Sequence, residues 1–493
     1  MRKMAIALSF LLFWTIVKHS NSNQEFDVRQ HLSTVTGYGV VKDVINTSFV
    51  PSHIPDGCTP IHLNLVARHG TRSPTKKRMK ELEKLASHLE ELMRDTTLHN
   101  VPAWMRGWKS PWRGKSKGGE LIEKGEGELY NLGIRIKEMF PSLFEGDYHP
   151  DVHTIKATQV HRASASAVAF GMGLLSGKGT LGHGRHRAFA VTSESRASDI
   201  LLRFYDTCES YKAYREKEEP AVNKLKEPVL DEISSALIHR YGLNFTRQDT
   251  ASLWFLCKQE ASLLDIVDQA CGLFTPSEVA LLEWTDDLEV FILKGYGQSL
   301  NYRMGVPLLE DVLQSMEQAI KAQEEKHPPG SYEKARLRFA HAETVVPFTC
   351  LLGLFLEGSE FQKIQREQPL EIPPQPPRSR NWWGSFVAPF AGNNILILYT
   401  CPASSSTSSK YLVQVLHNEK PIPVPGCNYS DLCPFEVFKE GIVAPHLKHS
   451  YNAVCTANLE RIEKKSITSK LLLPFRWLFP VSTGDTQSTK DEL

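Results

Sequence analysis

The stretch Val66-Ala67-Arg68-His69-Gly70-Thr71-Arg72-Ser73-Pro74 constrains the fold more than any other part of the chain. Upstream, residues 61–67 alternate and are rich in branched side chains, as a buried strand would be. Downstream, residues 76–95 carry Met79, Leu82, Leu85, Ala86, Leu89, Leu92 and Met93 at three- and four-residue spacing, which predicts an amphipathic helix. Two guanidinium groups and an imidazole therefore occupy the turn from a strand's carboxyl end into a helix. In an open α/β sheet that is where ligands bind.

The ends of the chain suggest a compartment. Arg2 and Lys3 precede an apolar run over residues 5–17, and Ser20-Asn21-Ser22 offers small residues for cleavage. Residues 1–22 are thus expected to be a secretory signal peptide, too short and wrongly flanked for a membrane span. Loss of Arg2, Lys3 and Lys18, with no acid, takes the formal charge from +1 to −2. Such a balance argues against a nucleic-acid binder, so any attraction for anions must be local. The chain ends in Lys490-Asp491-Glu492-Leu493, the retrieval signal read in the endoplasmic reticulum. The expectation is a lumenal protein, or one partly secreted, whose partners include the receptor for that signal. Sequons at Asn46, Asn244 and Asn428 agree with this. So do nine cysteines without paired C-x-x-C knuckles, a pattern that favours disulfides over structural zinc. Nine is odd. Cys350, in an apolar stretch over residues 345–356, is the candidate free thiol, and the other eight allow 105 pairings.

Residues 23–57 read as an N-terminal arm of weak periodicity. Trp104, Trp108 and Trp112 interleave with basic residues in what reads as a surface loop rather than a base-stacking platform. Helical spacing resumes over 120–140. Residues 152–158 form a second candidate strand, followed by a helix opening His161-Arg162-Ala163-Ser164-Ala165-Ser166. Arg162 falls in that helix's first turn, where anions are already favoured. Residues 188–192 suggest another strand. Helical patterning dominates from 203 to 327, with 205–219 highly charged and 231–241 amphipathic. Then Leu337-Arg338-Phe339-Ala340 reads as a strand followed by His341-Ala342-Glu343-Thr344 and the buried helix that holds Cys350. The opening pattern of strand, histidine and helix recurs. Residues 394–400 and 411–415 complete the strands. Residues 471–481 are apolar but broken by Pro474, Arg476 and Pro480, so no membrane span is expected there, although surface contact remains open.

The expected organisation is a catalytic α/β domain over 58–202 and 335–460, interrupted by a helical insert over 203–334, with a flexible tail over 461–493. The three junctions fit phosphate-ester chemistry. An arginine fork binds two phosphate oxygens and keeps its charge. A neutral histidine can attack phosphorus. A carboxylic acid of raised pKa can protonate the leaving oxygen and then, as carboxylate, activate water.

Arg68-His69-Gly70-Thr71-Arg72-Ser73-Pro74 resembles the R-H-G-x-R-x-P signature of histidine acid phosphatases, which include phytases. His341-Ala342-Glu343 is similar to the H-A-E of multiple inositol polyphosphate phosphatases, and Lys294-Gly295-Tyr296-Gly297 also looks like that group. The resemblance covers residues 58–455. It implies a mostly parallel sheet flanked by helices, with a helical domain over the active site and no metal or other cofactor. It implies His69 as the phosphorylated nucleophile, Glu343 as acid and then base, and Arg68, Arg72, Arg162 and His341 as phosphate ligands. Substrates would be inositol hexakisphosphate and lower inositol phosphates, with 2,3-bisphosphoglycerate as a further one. It also implies disulfides Cys58–Cys401, Cys208–Cys455, Cys257–Cys271 and Cys427–Cys433. Lys76 and Lys77, with Arg78, follow the signature directly and are candidates for holding the other phosphates of such a substrate. The rival readings are a broad-specificity acid phosphatase and a non-catalytic lumenal binding protein on the same fold.

Overall fold

A computed structural model describes residues 26–42, 49–94, 100–328, 330–403 and 409–456. The expected signal peptide, the Asn46 sequon, residues 471–481 and the retrieval signal lie outside the described residues. In chain order the elements that matter here begin with β1 (Thr59–Arg68), α1 (Lys76–Met93), α2 (Glu123–Met139), β2 (His153–Ala157) and α3 (His161–Leu174). The helical stretch holds α4 (Glu209–Tyr241), α5 (Arg247–Gln259), α6 (Pro276–Lys294) and α7 (Val306–Glu324). Then come β3 (Ala335–Ala340), α8 (Ala342–Leu351), β4 (Asn393–Thr400), β5 (Tyr411–His417), β6 (Lys420–Pro421) and β7 (Leu432–Pro434).

Among the described residues seven strands form one sheet in the order β2-β3-β1-β4-β5-β6, with β7 also paired to β5. The expected parallel character holds for β2, β3 and β1. Pairing from β1 to β4 and onward is antiparallel. The chain reason is visible: short connections such as that from His417 to Lys420 permit only a reversal, whereas β1, β2 and β3 are separated by helical crossovers. Residues 188–192 do not form the expected strand. Thr192 makes a single bridge to Lys156, and the segment stays half exposed because among the described residues no further strand lies beyond it.

Alternation along β1 builds the two sides of the core. Leu63, Leu65 and Ala67 face α2 and α3, packing with Leu129, Leu132 and Phe170. Val66, and Ile61 at the register irregularity between Pro60 and His62, face the other way, towards Leu309, Val312 and Met316 of α7 and Val345 and Phe348 of α8. A third cluster is mostly helical: Leu82, Leu85 and Leu89 of α1 pack with Ile233 and Leu237 of α4, Leu253 and Leu256 of α5, and Leu282 of α6. The charged stretch 205–219, from Glu209 on, and the amphipathic stretch 231–241 turn out to share one 33-residue helix, α4, which runs through Pro220 and Pro228. Its buried Tyr211 and Tyr214 belong to the sheet-side core, while Ile233 and Leu237 belong to the helical one. Thr246 and Thr275 cap α5 and α6 with full capping boxes, which fixes where these helices start.

The four disulfides are Cys58–Cys401, Cys208–Cys455, Cys257–Cys271 and Cys427–Cys433, and Cys350 is free and fully buried. Asn244 and Asn428 are both exposed. No described helix is long and apolar enough to cross a membrane.

The turn after β1 lies against α2 with backbone touching backbone. A Cβ on Gly125 would sit 2.2 Å from the Thr71 carbonyl oxygen, and one on Gly70 2.3 Å from the Gly125 carbonyl oxygen. Gly127, two residues on, has nothing within 4 Å of such a position. Gly125→Ala should therefore cost about 2 kcal/mol of stability and most of the activity. Gly127→Ala should be neutral, or stabilise by up to about 1 kcal/mol through helix propensity. Melting curves and phosphate release from the two variants test this; equal behaviour would contradict the contact.

Candidate active site

Parallel pairing sets the site. Arg68 is opposite Ala340 in register, and the His69 amide donates to the Ala340 carbonyl at 3.0 Å. The next residue on each strand is a histidine, and the rings of His69 and His341 meet edge to face with centroids 5.4 Å apart. Thr158, just past β2, bonds His341 Nε2 at 2.9 Å, so all three parallel strands reach the same point.

His69 is buried, and its Nδ1 lies 2.9 Å from the Gly70 carbonyl oxygen. That carbonyl can only accept, so Nδ1 carries the proton and Nε2 keeps the lone pair. Burial pushes the His69 pKa well below its ordinary value, and Arg68, His341, Arg162 and Arg72 push the same way. The imidazole is neutral, so its Nε2 lone pair is available for attack.

The cations come from separate elements. Arg68 is buried, donates from Nη1 to the carbonyls of Thr34 and Ala388 (2.8 Å to the latter), and stacks on Phe390 at 4.5 Å. Arg72 donates to the Ser73 carbonyl at 2.9 Å. Arg162, in the first turn of α3, places Nη2 3.3 Å from His341 Nδ1. Burial, reinforced by the neighbouring guanidinium charges, lowers the pKa of Arg68 to about 9 and of Arg72 to about 10, which leaves both charged at neutral pH. Ser166 ties two of these loops together, accepting from the Gly70 amide at 3.1 Å and donating to the Arg162 carbonyl at 2.7 Å. His341 is buried and its pKa falls to about 3, first through burial and then through Arg162.

The profile of the Histidine phosphatase superfamily (branch 2) matches residues 61–418. The chain belongs to this superfamily. Among its relatives, Multiple inositol polyphosphate phosphatase 1 of Homo sapiens is 26% identical over 389 residues, covering 76% of this chain and 77% of the human one. The Dictyostelium discoideum protein of the same name is 27% identical over 461 residues, covering 82% and 69% respectively. The fold matches the phytase from D. castellii with a TM-score of 0.65 at 18% identity, covering 90% of this chain and 91% of that one. It matches the Bifidobacterium longum Multiple Inositol Polyphosphate Phosphatase, in complex with inositol hexasulfate, with a TM-score of 0.59 at 18% identity, covering 85% and 98%. The chain is accordingly a histidine acid phosphatase.

Four further groups belong to this phosphatase's site, and the first three carry no local sequence signal that names them. Glu128 of α2 accepts from the Thr71 amide at 2.7 Å and from its hydroxyl at 2.8 Å, and so holds the turn from below. Arg203 is buried, with Nη1 3.4 Å from His341 Nε2, and is ion-paired to Asp206. The N-terminal arm contributes the Thr34 carbonyl that Arg68 uses. Lys294, at the end of α6, donates to Glu343 Oε1 at 2.9 Å. Lys294 of the family-like Lys294-Gly295-Tyr296-Gly297 stretch thus acquires a partner in the structure.

That last contact corrects the sequence expectation of a raised Glu343 pKa. Burial alone would raise it, but Lys294 and then His341 more than offset this, and the carboxyl is held below its usual range. Its side chain keeps 30% of its surface open, so it faces the cleft as a carboxylate. A polyanionic substrate added among these cations moves the carboxyl back upward, because a nearby negative charge favours its neutral form. Removing Lys294 acts in the same direction. The alkaline limb of the kcat profile reports the substrate-bound enzyme, and it should move to higher pH in Lys294→Met. A limb that stays in place would remove Lys294 from the proton step.

Lys76 and Lys77 are exposed and, among the described residues, form no ion pair. They line a cavity of about 820 Å³ together with Lys80, Lys84, Glu81 and His88, facing Gln248, Asp249 and Ser252 of α5. Arg78 is engaged elsewhere, by Glu81 at 2.8 Å and by the Phe255 ring at 4.9 Å.

Proposed function

We propose that this chain hydrolyses the phosphomonoesters of inositol hexakisphosphate and lower inositol polyphosphates through a phosphohistidine at His69 Nε2. The observation that carries the reading is the convergence of a neutral His69 with Arg68, Arg72, Arg162 and His341 at the carboxyl ends of three parallel strands. In the first step Nε2 attacks phosphorus and the ester P–O bond breaks. Glu343 gives its proton to the departing alkoxide while the arginines hold the phosphoryl oxygens. In the second step a water attacks phosphorus, the Glu343 carboxylate takes its proton, and the P–N bond breaks to release phosphate and restore His69.

The inositol polyphosphate preference draws support from the names of the relatives and from the lysine-lined cavity. The lysine-bearing helix α1 begins near the clamp: a Cβ on Gly119 would lie 3.8 Å from Thr75 Cγ2 and 3.9 Å from Arg162 Nη1, and Thr75 directly precedes Lys76. Lysines in a helix's first turn oppose its dipole, and Lys76, Lys80 and Lys84 repel one another at four-residue spacing. A ligand with several phosphates removes both costs. The disulfides support a reading of lumenal or secreted residence, with retrieval by a receptor as the further proposal.

His69→Ala should abolish phosphate release from inositol hexakisphosphate while leaving the melting curve that of a folded protein. In Lys76→Ala/Lys77→Ala, KM for inositol hexakisphosphate should rise about tenfold or more, with KM for p-nitrophenyl phosphate nearly unchanged. Equal changes for both substrates would favour the broad acid phosphatase instead.

A further inference from the structure

The buried carboxylates Glu283 and Asp287 on α6 take no part in the chemistry above, yet both are completely shielded from solvent. Asp287 Oδ1 accepts two hydrogen bonds from distant segments: the Ser33 hydroxyl at 2.5 Å and the Gly384 amide at 2.9 Å. Its Oδ2 lies 2.7 Å from Arg380 Nη1 in an ion pair. Glu283 completes the group, 2.9 Å from His31 Nδ1, 3.3 Å from the Ser385 hydroxyl and 3.6 Å from Arg380 Nη2. Arg380 in turn stacks on Trp383 at 3.9 Å.

The two segments that meet at Asp287 Oδ1 are the ones that hold Arg68. One residue beyond Ser33 is Thr34, whose carbonyl accepts from Arg68 Nη1. One helical turn beyond Gly384 is Ala388, whose carbonyl accepts from the same nitrogen at 2.8 Å, and whose amide bonds back to Gly384 at 3.1 Å. Farther along the same segments, the Phe390 amide donates to the Thr36 carbonyl at 3.0 Å, and Phe390 carries the ring under Arg68. Ser33 adopts φ +50°, which a serine holds only under constraint. Gly384 fits because a Cβ there would stand 2.3 Å from Ser33 Oγ and 2.5 Å from Asp287 Oδ1. A single carboxylate oxygen thus fixes the spacing between two chain segments whose carbonyls share one guanidinium nitrogen.

We propose that Asp287 is a positioning residue for Arg68, setting the phosphate clamp through the N-terminal arm and the 384–390 segment without touching substrate. The inference rests on the reading of Arg68 as a phosphate ligand. Moving a clamp by a fraction of an ångström weakens transition-state binding long before it unfolds the protein.

The test uses the intact protein, with inorganic phosphate as competitive inhibitor and p-nitrophenyl phosphate as substrate. Ser33→Ala removes one bond to Asp287 and leaves the carboxylate in place. It should raise the phosphate Ki several-fold with little change in Tm. Asp287→Ala should raise Ki about tenfold or more. Arg68→Lys should raise it too, and the double variant Asp287→Ala/Arg68→Lys should be no weaker than Arg68→Lys alone, because both act through one group. A wild-type Ki in Ser33→Ala, or effects that multiply in the double variant, overturns the positioning role. A wild-type Ki in Arg68→Lys overturns the reading of Arg68 itself. Should Asp287→Ala not fold, Ser33→Ala combined with Arg68→Lys decides by the same criterion.

Discussion

The parallel register that sets Arg68 beside Ala340 is the contact on which the rest depends. It ends two strands at one level, so that the residues emerging from each, His69 and His341, are neighbours although 271 positions lie between them in the chain. Side chains along a strand alternate, so a shift of one residue would turn the apolar set of β1 to the wrong faces and separate the two histidines. Both faces of β1 are packed, with Leu65 and Ala67 on one side and Val66 on the other. The hydrophobic core therefore specifies the register, and the register specifies the chemistry.

Electrostatics then works in one direction. Several guanidinium groups and an ammonium surround a pair of neutral imidazoles and one carboxylate. Burial keeps the histidines uncharged, and the like charges around them reinforce that. The same surplus of positive charge keeps Glu343 ionised until an anion enters. In the proposed mechanism nucleophile and acid are thus prepared by opposite responses to one field: His69 would be ready beforehand, whereas Glu343 would take up its proton in the company of substrate. Lys294 couples the helical layer to this sequence of events, because the end of α6 brings it to the carboxylate.

Much of this was legible in the sequence, and the division has a physical cause. The strand-turn-helix passages around His69, Arg162 and His341 are local patterns, since hydrophobic period and chemistry switch within a few residues. The structure brings all three together. Glu128, Arg203, Asp287 and Ser33 have no such signature. Glu128 lies on an ordinary acidic helix face, and Asp287 on a helix whose apolar spacing says only that it is packed. Their roles come from what tertiary contact places opposite them. The arm over residues 26–42 is the extreme case: at Thr34 and Thr36 it contributes backbone carbonyls, and a carbonyl leaves no trace in side-chain identity. The lowered pKa of Glu343 was unreadable for the same reason, because its cause is a lysine 49 residues away.

Partner type separates the arginines that serve the fold from those available to a phosphate. Arg338 on β3 is fully buried and is neutralised by Asp311 of α7, with Asn64 Oδ1 taking a further donor at 2.9 Å. That group satisfies both charge and hydrogen bonds internally, as a buried structural ion pair must. Arg68, Arg72 and Arg162 are held by backbone carbonyls and by a neutral imidazole, and among the described residues none of them pairs with a carboxylate. Neutral acceptors fix the geometry of a guanidinium without cancelling its charge. The Nε atoms of all three have no hydrogen-bond partner among the described residues, so donors are left over as well. Maintaining such groups costs stability, and the fold meets that cost with dipoles supplied by the arm, by the 384–390 segment and by the turn itself. A carboxylate in place of the Thr34 or Ala388 carbonyl would bind Arg68 more tightly. It would also leave the clamp with little attraction for a phosphoryl group.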